Sequence, residues 1–231
     1  MLTDTIKIIV SSTLFFYFLN NKIFKNLKPE KCTKIDQWKN TCTSCSHALI
    51  VSLGALLVFY KNPDVYKDQF WMTDENAVIV GAILFGYMIY DWHDLVKTNL
   101  HDITILLHHS VVMFCNGWAI FKHHHHGYLM VAMVMEMQSV FLHLRQLLNF
   151  AKISRKSYIY RSVSVLNFIT MFTFRFVPNY LLTIYSYEHQ DELPYWFFVA
   201  TMFVMAFLFG NNGVLVYRLV KSDLLSKRKS E

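Results

Sequence analysis

The chain has 231 residues, of which 54% are hydrophobic and only 16% are charged, whereas an ordinary soluble domain carries roughly 25% charged residues. Its 7 Gly and 4 Pro leave little material for linkers or disordered segments. This composition argues against a cytosolic globular protein and favours one compact, largely helical unit. The net charge of +6 would suit a nucleic-acid partner, but the basic residues lie in clusters between apolar runs, so we expect no nucleic acid.

The apolar residues fall into stretches long enough to cross a bilayer, which takes about 20 residues per helix. Asn20, Asn21 and Lys22 shorten the first stretch, whose apolar core would also suit a signal peptide. Because no small-x-small cleavage site follows it, we predict a retained helix. The sequence thus predicts an all-α, polytopic membrane protein with about seven transmembrane helices. The predicted spans are residues 8–24, 44–60, 77–96, 103–121, 128–148, 162–185 and 195–220.

The orientation follows from the basic residues in the short loops, because Lys and Arg resist translocation. If the N-terminus lies outside, basic loops and acidic loops alternate strictly along the chain. The basic residues that fall inside are Lys22, Lys25, Lys28, Lys31, Lys34, Lys39, Lys97, Lys152, Arg155, Lys156, Arg161, Arg218, Lys221, Lys227, Arg228 and Lys229. Those that fall outside are Lys7, Lys61, Lys67 and Lys122. This split predicts seven crossings with the C-terminus in the cytosol.

Two clusters of metal-ligand residue types are better explained as ordinary loop residues. Cys42 and Cys45 have the spacing of a zinc or redox pair, but no second pair with suitable spacing follows. The run from His123 to His126 could hold a metal, but we expect a solvated run in an outer loop. We therefore predict no metal and no cofactor at either place.

Polar and ionisable side chains inside the apolar spans indicate a functional site, because a charge at the bilayer centre costs at least about 2.5 kcal/mol. Asp91 and the pair His108 and His109 occupy two successive helices at similar depth, which favours a role in a site. With the predicted orientation, most of the candidates lie in the cytosolic half of the bilayer. The candidates are His47, Asp91, Asp94, His101, Asp102, His108, His109, Glu136, His143, Arg145, Arg175, Asn179, Asn211 and Asn212.

Several of these candidates also have structural interpretations. The guanidinium of Arg145 could reach the lipid head groups from the end of its helix. His47 and His143 could be packing residues near the interface. Asn211 and Asn212 could join two helices by hydrogen bonds without taking part in chemistry.

Helical spacing shows which candidates share a face. Asp91 and Asp94 are three residues apart and Glu136 and His143 are seven apart, so each pair lies near one stripe. An imidazole paired with a carboxylate transfers protons near neutral pH, and a deprotonated histidine can attack an activated acyl group. Metal binding is the competing interpretation. It is disfavoured for His101, Asp102, His108 and His109, because ligands on one helix normally lie three or four residues apart. Here adjacent residues point about 100° apart, and the other pairs lie six to eight residues apart.

Three motifs in this order carry a resemblance to a known family. They are residues 86–94 (GYMIYDWHD), 106–112 (LLHHSVV) and 141–145 (FLHLR). The chain resembles the TLC domain, which ceramide synthases share with several smaller membrane proteins. Further segments make it most similar to the group of TLC domain-containing proteins 1 and 2, and the resemblance covers roughly residues 44–223. These segments are residues 46–49 (SHAL), 136–142 (EMQSVFL), 174–178 (FRFVP) and 211–219 (NNGVLVYRL).

The resemblance implies a barrel of six helices, the second to the seventh, in which His108 and His109 face a central cavity. In ceramide synthases this cavity holds an acyl chain, and histidine chemistry transfers the chain from acyl-coenzyme A to a sphingoid amine. The synthases continue with acidic residues after the paired histidine, whereas this chain reads MFCNGW over residues 113–118, which argues against ceramide synthase activity. By position, the candidate catalytic residues are His108, His109 and Asp91. The supporting residues of the lipid cavity are Asp94, His101, Asp102, Glu136, Arg145, Arg175 and Asn211.

The resemblance also implies a function. Its smaller members are similar to regulators of phospholipid acyl composition and membrane fluidity, which limit the incorporation of polyunsaturated, membrane-fluidising chains at the plasma membrane. We therefore expect membrane lipids and acyl chains as partners, with the endoplasmic reticulum as the alternative location. Two other hypotheses are a histidine-dependent acyltransferase that uses acyl-coenzyme A as co-substrate and a proton-coupled lipid carrier. The predicted domains are residues 1–43 (first helix and basic cytosolic loop), 44–223 (TLC domain) and 224–231 (basic cytosolic tail).

Overall fold

A computed structural model describes residues 2–98 and 103–222, and in these residues it contains helices and turns but no strand. A short helix, Asp64–Lys67, and a 3-10 turn, Gln190–Glu192, lie between the long helices. The long helices are α1 (Leu2–Phe24), α2 (Ile35–Lys61), α3 (Glu75–Lys97), α4 (Ile103–Lys122), α5 (His126–Phe150), α6 (Tyr158–Glu188) and α7 (Tyr195–Val220). They follow the order of the predicted spans, and the all-α prediction is confirmed.

Six of these helices are long and apolar enough to cross a membrane, as expected for a polytopic membrane protein. The exception is α3, which has 23 residues and is therefore long enough for a crossing. Its last turns carry Asp91, His93 and Asp94, which lower its mean hydropathy. The helix that falls short in hydropathy is thus the one that carries the predicted aspartates.

The second helix begins well before its apolar span. It starts at Ile35 and has 27 residues, whereas hydropathy predicted a start at Ser44. Hydropathy marks the part of a helix that lies in lipid, but backbone hydrogen bonds continue the same helix into the polar interface. As a result, α2 runs through the predicted domain boundary at residues 43–44.

Contacts divide the chain into two compact units, one that ends at Thr170 and one that begins at Met171. In the first unit α3 is central and packs against α1, α2 and α4, while α2 also packs against α5. The apolar core between these helices includes Val51, Ala55 and Leu84, all nearly or completely buried. The six-helix barrel that the resemblance implies remains a prediction.

The first helix packs on the third through small and polar residues. The Ser12 hydroxyl donates to the carbonyl of Ile83 at 2.8 Å, and the Thr13 hydroxyl donates to the carbonyl of Gly86 at 3.0 Å. A Cβ atom on Gly86 would lie only 2.4 Å from the carbonyl oxygen of Ile9. Glycine is therefore required at this position for the close approach of the two backbones.

In the second unit, the helix α6 widens to a π turn over Phe172–Phe176, directly before Val177 and Pro178. Proline has no backbone N–H and cannot donate to the carbonyl four residues earlier, which disturbs the α-helical register at that point. The π turn carries Arg175, whose side chain is buried.

Candidate functional site

The centre of the candidate site is a carboxylate–imidazole pair between α3 and α4. Asp91 is only 1% exposed, and its Oδ2 atom lies 3.1 Å from Nδ1 of His109. Among the described residues Nδ1 of His109 has no hydrogen-bond partner, so this is a close electrostatic contact without the alignment of a hydrogen bond. An imidazole nitrogen that keeps its lone pair can take a proton or contact a ligand.

A third helix contributes Asn40, which is not among the residues predicted from the sequence. Its Nδ2 atom donates to Oδ1 of Asp91 at 2.8 Å and to Oδ2 of Asp94 at 3.3 Å. Asn40 lies in the polar first turns of α2, outside the predicted span and so outside the set of predicted intramembrane residues. The spacing of Asn40, Ser44 and His47 places them on one helical face, and this pattern could have identified it.

Ser44 and His47 meet the same end of α3 through Tyr87. The Tyr87 hydroxyl donates to the Ser44 hydroxyl at 3.0 Å, and its ring is stacked on His47 with centroids 3.7 Å apart. His47 is 3% exposed, and its Nε2 atom has no hydrogen-bond partner among the described residues. The pattern of polar residues in the sequence indicated His47 as a candidate. Its partner Tyr87 was not a candidate and occurs only within the motif of residues 86–94.

The fifth helix brings further ionisable groups near this centre. Glu136 and His143 are both half-buried, and both interact electrostatically with His47, as do Asp91 and His109. The predicted face of α5 that carries Glu136 and His143 therefore lies near His47, as Asp91 and His109 do. Four helices, α2 to α5, supply this cluster.

The remaining predicted site residues of the first unit lie at different distances from the pair. His108 is half-buried, and its ring centroid lies 5.7 Å from that of His109. Arg145 is buried and its guanidinium lies over the ring of Tyr160, 5.9 Å from the centroid, so it packs inside the unit. His101 and Asp102 lie outside the described residues.

The second unit contains Arg175 and the two asparagines of α7. Nη1 of Arg175 donates to Oδ1 of Asn212 at 3.3 Å, and Asn179 donates to the carbonyl of Met205 at 3.5 Å. Asn212 is 1% exposed, whereas the predicted site residue Asn211 is half-buried. These bonds join α6 to α7, which is the structural interpretation that the sequence left open for the asparagines.

The opposite end of α3 is held by the loop that contains the histidine run. The backbone N–H of Asp74 donates to Nδ1 of His126 at 2.9 Å, and His126 is 1% exposed. The expectation of a solvated run was therefore wrong for this residue. Burial opposes the charge of Asp74, but hydrogen bonds from Asn62 and the Ala77 N–H outweigh it and lower the pKa of this carboxyl group.

The neighbouring His125 lies against Phe70. Its backbone N–H donates to the carbonyl of Phe70 at 2.8 Å, and the two ring centroids are 5.2 Å apart. Burial, together with the adjacent charges of His124 and His126, lowers the pKa of His125 to about 4. This imidazole is therefore neutral at pH 7.

Comparison with known proteins agrees with this arrangement of motifs. The family model of the TLC domain matches residues 37–221. The chain is 30% identical to TLC domain-containing protein 2 of Danio rerio, over 96% of this chain and 91% of the relative. It is 30% identical to TLC domain-containing protein 2 of Homo sapiens over 68% of this chain and 60% of the relative. It is 24% identical to TLC domain-containing protein 1 of Gallus gallus, over 82% of this chain and 75% of the relative. The predicted resemblance is confirmed, and the chain belongs to the TLC domain family.

Proposed function

We propose that this multi-pass membrane protein sets the acyl composition of membrane phospholipids and thereby membrane fluidity, by limiting the incorporation of polyunsaturated chains. Membership of the TLC domain family supports a lipid-related role in the membrane. The observation that carries the proposal is the pair of Asp91 and His109, which lies inside the helical part of that domain. The plasma membrane is the proposed location, with the endoplasmic reticulum as the alternative.

The burial of the pair supports a function beyond stability. Placing a carboxylate and an imidazole among membrane helices costs several kcal/mol, because both groups lose their hydration. Apolar residues of similar size would fill the same space at lower cost. A carboxylate–imidazole pair that is kept there can bind the polar ester or head group of a lipid while the surrounding apolar helices contact its chains.

A second candidate function, acyl transfer, is favoured by the closeness of His109 to Asp91, 3.1 Å from Nδ1 to Oδ2. A ring nitrogen of His109 can act as a general base toward a hydroxyl or amine of the acceptor. The acceptor oxygen or nitrogen would attack the thioester carbonyl of an acyl-coenzyme A. The carbon–sulfur bond would break, and the thiolate of coenzyme A would take up the proton from His109. Asp91 would stabilise the imidazolium between these two steps.

The proposed function is tested by phospholipid acyl-chain profiling in cells that lack the protein. Wild type, His109→Ala, Asp91→Asn and the control Lys156→Ala are re-expressed at matched abundance. Lys156 is exposed in the loop between α5 and α6, so its variant should restore the profile as wild type does. We expect His109→Ala and Asp91→Asn to restore little or nothing. Restoration by both would contradict the proposal that this pair is the functional centre.

The acyltransferase hypothesis needs a separate measurement. Purified protein in detergent is supplied with acyl-coenzyme A and lysophospholipid, and the release of free coenzyme A is followed. Release that depends on both protein and His109 would support acyl transfer. If wild type restores the cellular profile but releases no coenzyme A with any chain length, lipid binding becomes the better account of the same site.

A further inference from the structure

Positive charge is concentrated in the segment that joins α1 to α2 and in the helix ends beside it. Six lysines lie within residues 22–39, where the acidic residues are Glu30 and Asp36. Four of the lysines are exposed, and no described carboxylate forms an ion pair with them. These four are Lys22, Lys25, Lys31 and Lys34, and we name the surface that they form the basic loop surface.

The other two lysines of this segment are engaged within the chain. Nζ of Lys39 lies 3.0 Å from Oδ1 of Asp36, and Nζ of Lys28 donates to the carbonyl of Cys32 at 3.0 Å. Cys32 itself is only 2% exposed, so the hydrogen bond from Lys28 holds the turn of the segment around a buried side chain. The charges of the basic loop surface are therefore the ones that a partner can reach.

The segment is tied to both helices, which gives the basic loop surface a defined position. Nε1 of Trp38 in α2 donates to the carbonyl of Phe24 at the end of α1, at 3.1 Å. Nδ2 of the buried Asn20 in α1 donates to the hydroxyl of Thr43 in α2 at 3.3 Å. Because of these two bonds, the lysines at the end of α1 and the lysine directly before α2 lie at the same end of the helix pair.

Two apolar side chains are exposed among these lysines. Ile23 is 38% exposed and Leu27 is 62% exposed. Exposed lysines that alternate with exposed apolar side chains are typical of a segment in the membrane–water interface. There the apolar side chains reach toward the acyl chains, and the ammonium groups reach toward the head groups. We therefore expect the basic loop surface at the level of the lipid head groups.

We propose that the basic loop surface binds the head groups of anionic phospholipids, with the lysine ammonium groups on the phosphate and on the further negative charge of the head group. Charge complementarity carries this choice, because clusters of about four to eight basic residues next to a membrane helix attract anionic lipids. With the predicted orientation, the lipid belongs to the cytosolic leaflet, which is rich in anionic phospholipids. The binding itself depends neither on that orientation nor on the proposed function.

A lipid bound at the basic loop surface lies beside the candidate site. Lys39, which ends the basic segment, interacts electrostatically with Asp94 as well as with Asp36. The next residue, Asn40, donates to both Asp91 and Asp94. The basic segment and the carboxylates of α3 are therefore neighbours at the same end of the helices, and the surface can hold an anionic phospholipid next to the candidate site.

The test separates lipid binding from the effect that loop lysines have on topology. Full-length protein in a nonionic detergent is titrated with phosphatidylserine, or with phosphatidylcholine of the same acyl chains, and native mass spectrometry counts the bound lipids. The test variant changes all four lysines of the basic loop surface to glutamine. The matched control removes the same number of charges from other exposed positions that are predicted to lie in the cytosol. Its changes are Lys97→Gln, Lys152→Asn, Lys156→Gln and Arg161→Gln, with asparagine at Lys152 because this residue has a positive φ of 57°.

We expect wild type and the control variant to bind phosphatidylserine at least about tenfold more tightly than phosphatidylcholine, and the test variant to lose most of this preference. A wild type without the preference overturns the proposal, and so does a test variant that keeps it. Equal loss in the test and control variants also overturns it, because net charge rather than this surface would then govern binding.

A smaller change covers the case in which the test variant does not fold or inserts in the reverse orientation. Lys31→Gln combined with Lys34→Gln is compared with Lys152→Asn combined with Lys156→Gln. A glycosylation acceptor in the loop between α2 and α3 reports the orientation of every variant. A loss of preference of about threefold or more in the first double variant, with little change in the second, supports the proposal. A smaller loss in the first, or an equal loss in both, overturns it.

The lipid profile separates this inference from the proposed function. If the test variant loses the preference for phosphatidylserine but restores the phospholipid profile, the surface binds lipid without taking part in the proposed function. If His109→Ala restores the profile fully while wild type prefers phosphatidylserine, the proposed function fails and the lipid-binding surface is supported.

Discussion

At the residue scale, the two histidines of α4 have different environments. Adjacent residues on an α-helix point about 100° apart, and it is His109 that lies 3.1 Å from Asp91. We expect His109→Gln to lose restoration of the phospholipid profile and His108→Gln to retain most of it, because only the former breaks this pair. Acyl-chain profiling at matched abundance measures the difference. An equal loss in both variants would contradict a special role for the Asp91 pair.

A second prediction at this scale concerns pH and His125. The pKa of about 4 in the folded protein lies below the value of about 6.5 for an unfolded chain. Between these values the unfolded chain binds more protons, so acidification favours unfolding and stability falls as the pH decreases from about 6.5 to 4. We expect His125→Asn to unfold with less pH dependence than wild type.

The measurement is the thermal unfolding midpoint of purified protein at pH 7 and pH 5. Asparagine is chosen because His125 has a positive φ of 63°, a conformation that asparagine adopts more readily than most residues. His124→Asn is the control, since His124 is exposed. If the midpoint shifts equally between pH 7 and pH 5 in wild type, His125→Asn and His124→Asn, His125 does not contribute to the pH dependence of stability.

The sequence identified Asp91 and His109 because charged groups are rare within apolar spans. It could not choose between His108 and His109, since that choice depends on the rotation of α4 about its axis. Asn40 was missed because it is uncharged and precedes the apolar part of α2. Its contacts are with Asp91 and Asp94, which lie 51 and 54 positions further along the chain.

At the scale of elements, α1 and α3 approach each other closely where they cross at Gly86. A methyl group on Gly86 would lie 2.4 Å from a backbone oxygen and 2.7 Å from Cβ of Ser12, so the helices would have to separate. We expect Gly86→Ala to destabilise the protein by about 1–3 kcal/mol. Reversible unfolding in mixed detergent micelles measures the change.

The control for this prediction is Gly213→Ala in α7. Nothing lies within 4 Å of a Cβ atom at Gly213, and alanine favours a helix over glycine by about 0.5–1 kcal/mol. We therefore expect no loss of stability in the control. Similar stability of the two variants would contradict a tight crossing at Gly86.

The predicted spans overlap the seven long helices of the described residues, but their ends differ. The predicted and observed ends differ most at the start of α2. The reason is that a helix that leaves the lipid can continue in water with polar residues. The π turn over Phe172–Phe176 was not predicted. The bond between Arg175 and Asn212 was not predicted, because which of two adjacent asparagines faces α6 depends on the rotation of α7 about its axis.

At the scale of the whole molecule, the topology can be tested directly. The loops predicted to lie outside touch each other, since Asp74 binds His126 and the backbone of His125 binds Phe70. We expect a glycosylation acceptor placed between Lys61 and Glu75 to be modified and one placed between Lys22 and Lys39 to remain unmodified. A gel shift measures modification, and the reverse pattern would contradict the predicted orientation.

The family and the fold class could be predicted because both depend on patterns spread along the chain, namely seven apolar stretches and a fixed order of short motifs. The closure of α2 to α7 into a barrel depends on how the two units meet. No motif within a single unit determines that arrangement, and the resemblance is its only support.

The contact of α1 with α3 also bears on how the protein is made. The hydroxyl of Thr13 and its partner carbonyl are 73 residues apart, and ribosomes add roughly 5–20 residues per second. The first helix must therefore wait for several seconds before its main packing partner emerges. Until Gly86 has been synthesised, the face of α1 that carries Ser12 and Thr13 lacks the partner on which it packs in the folded protein.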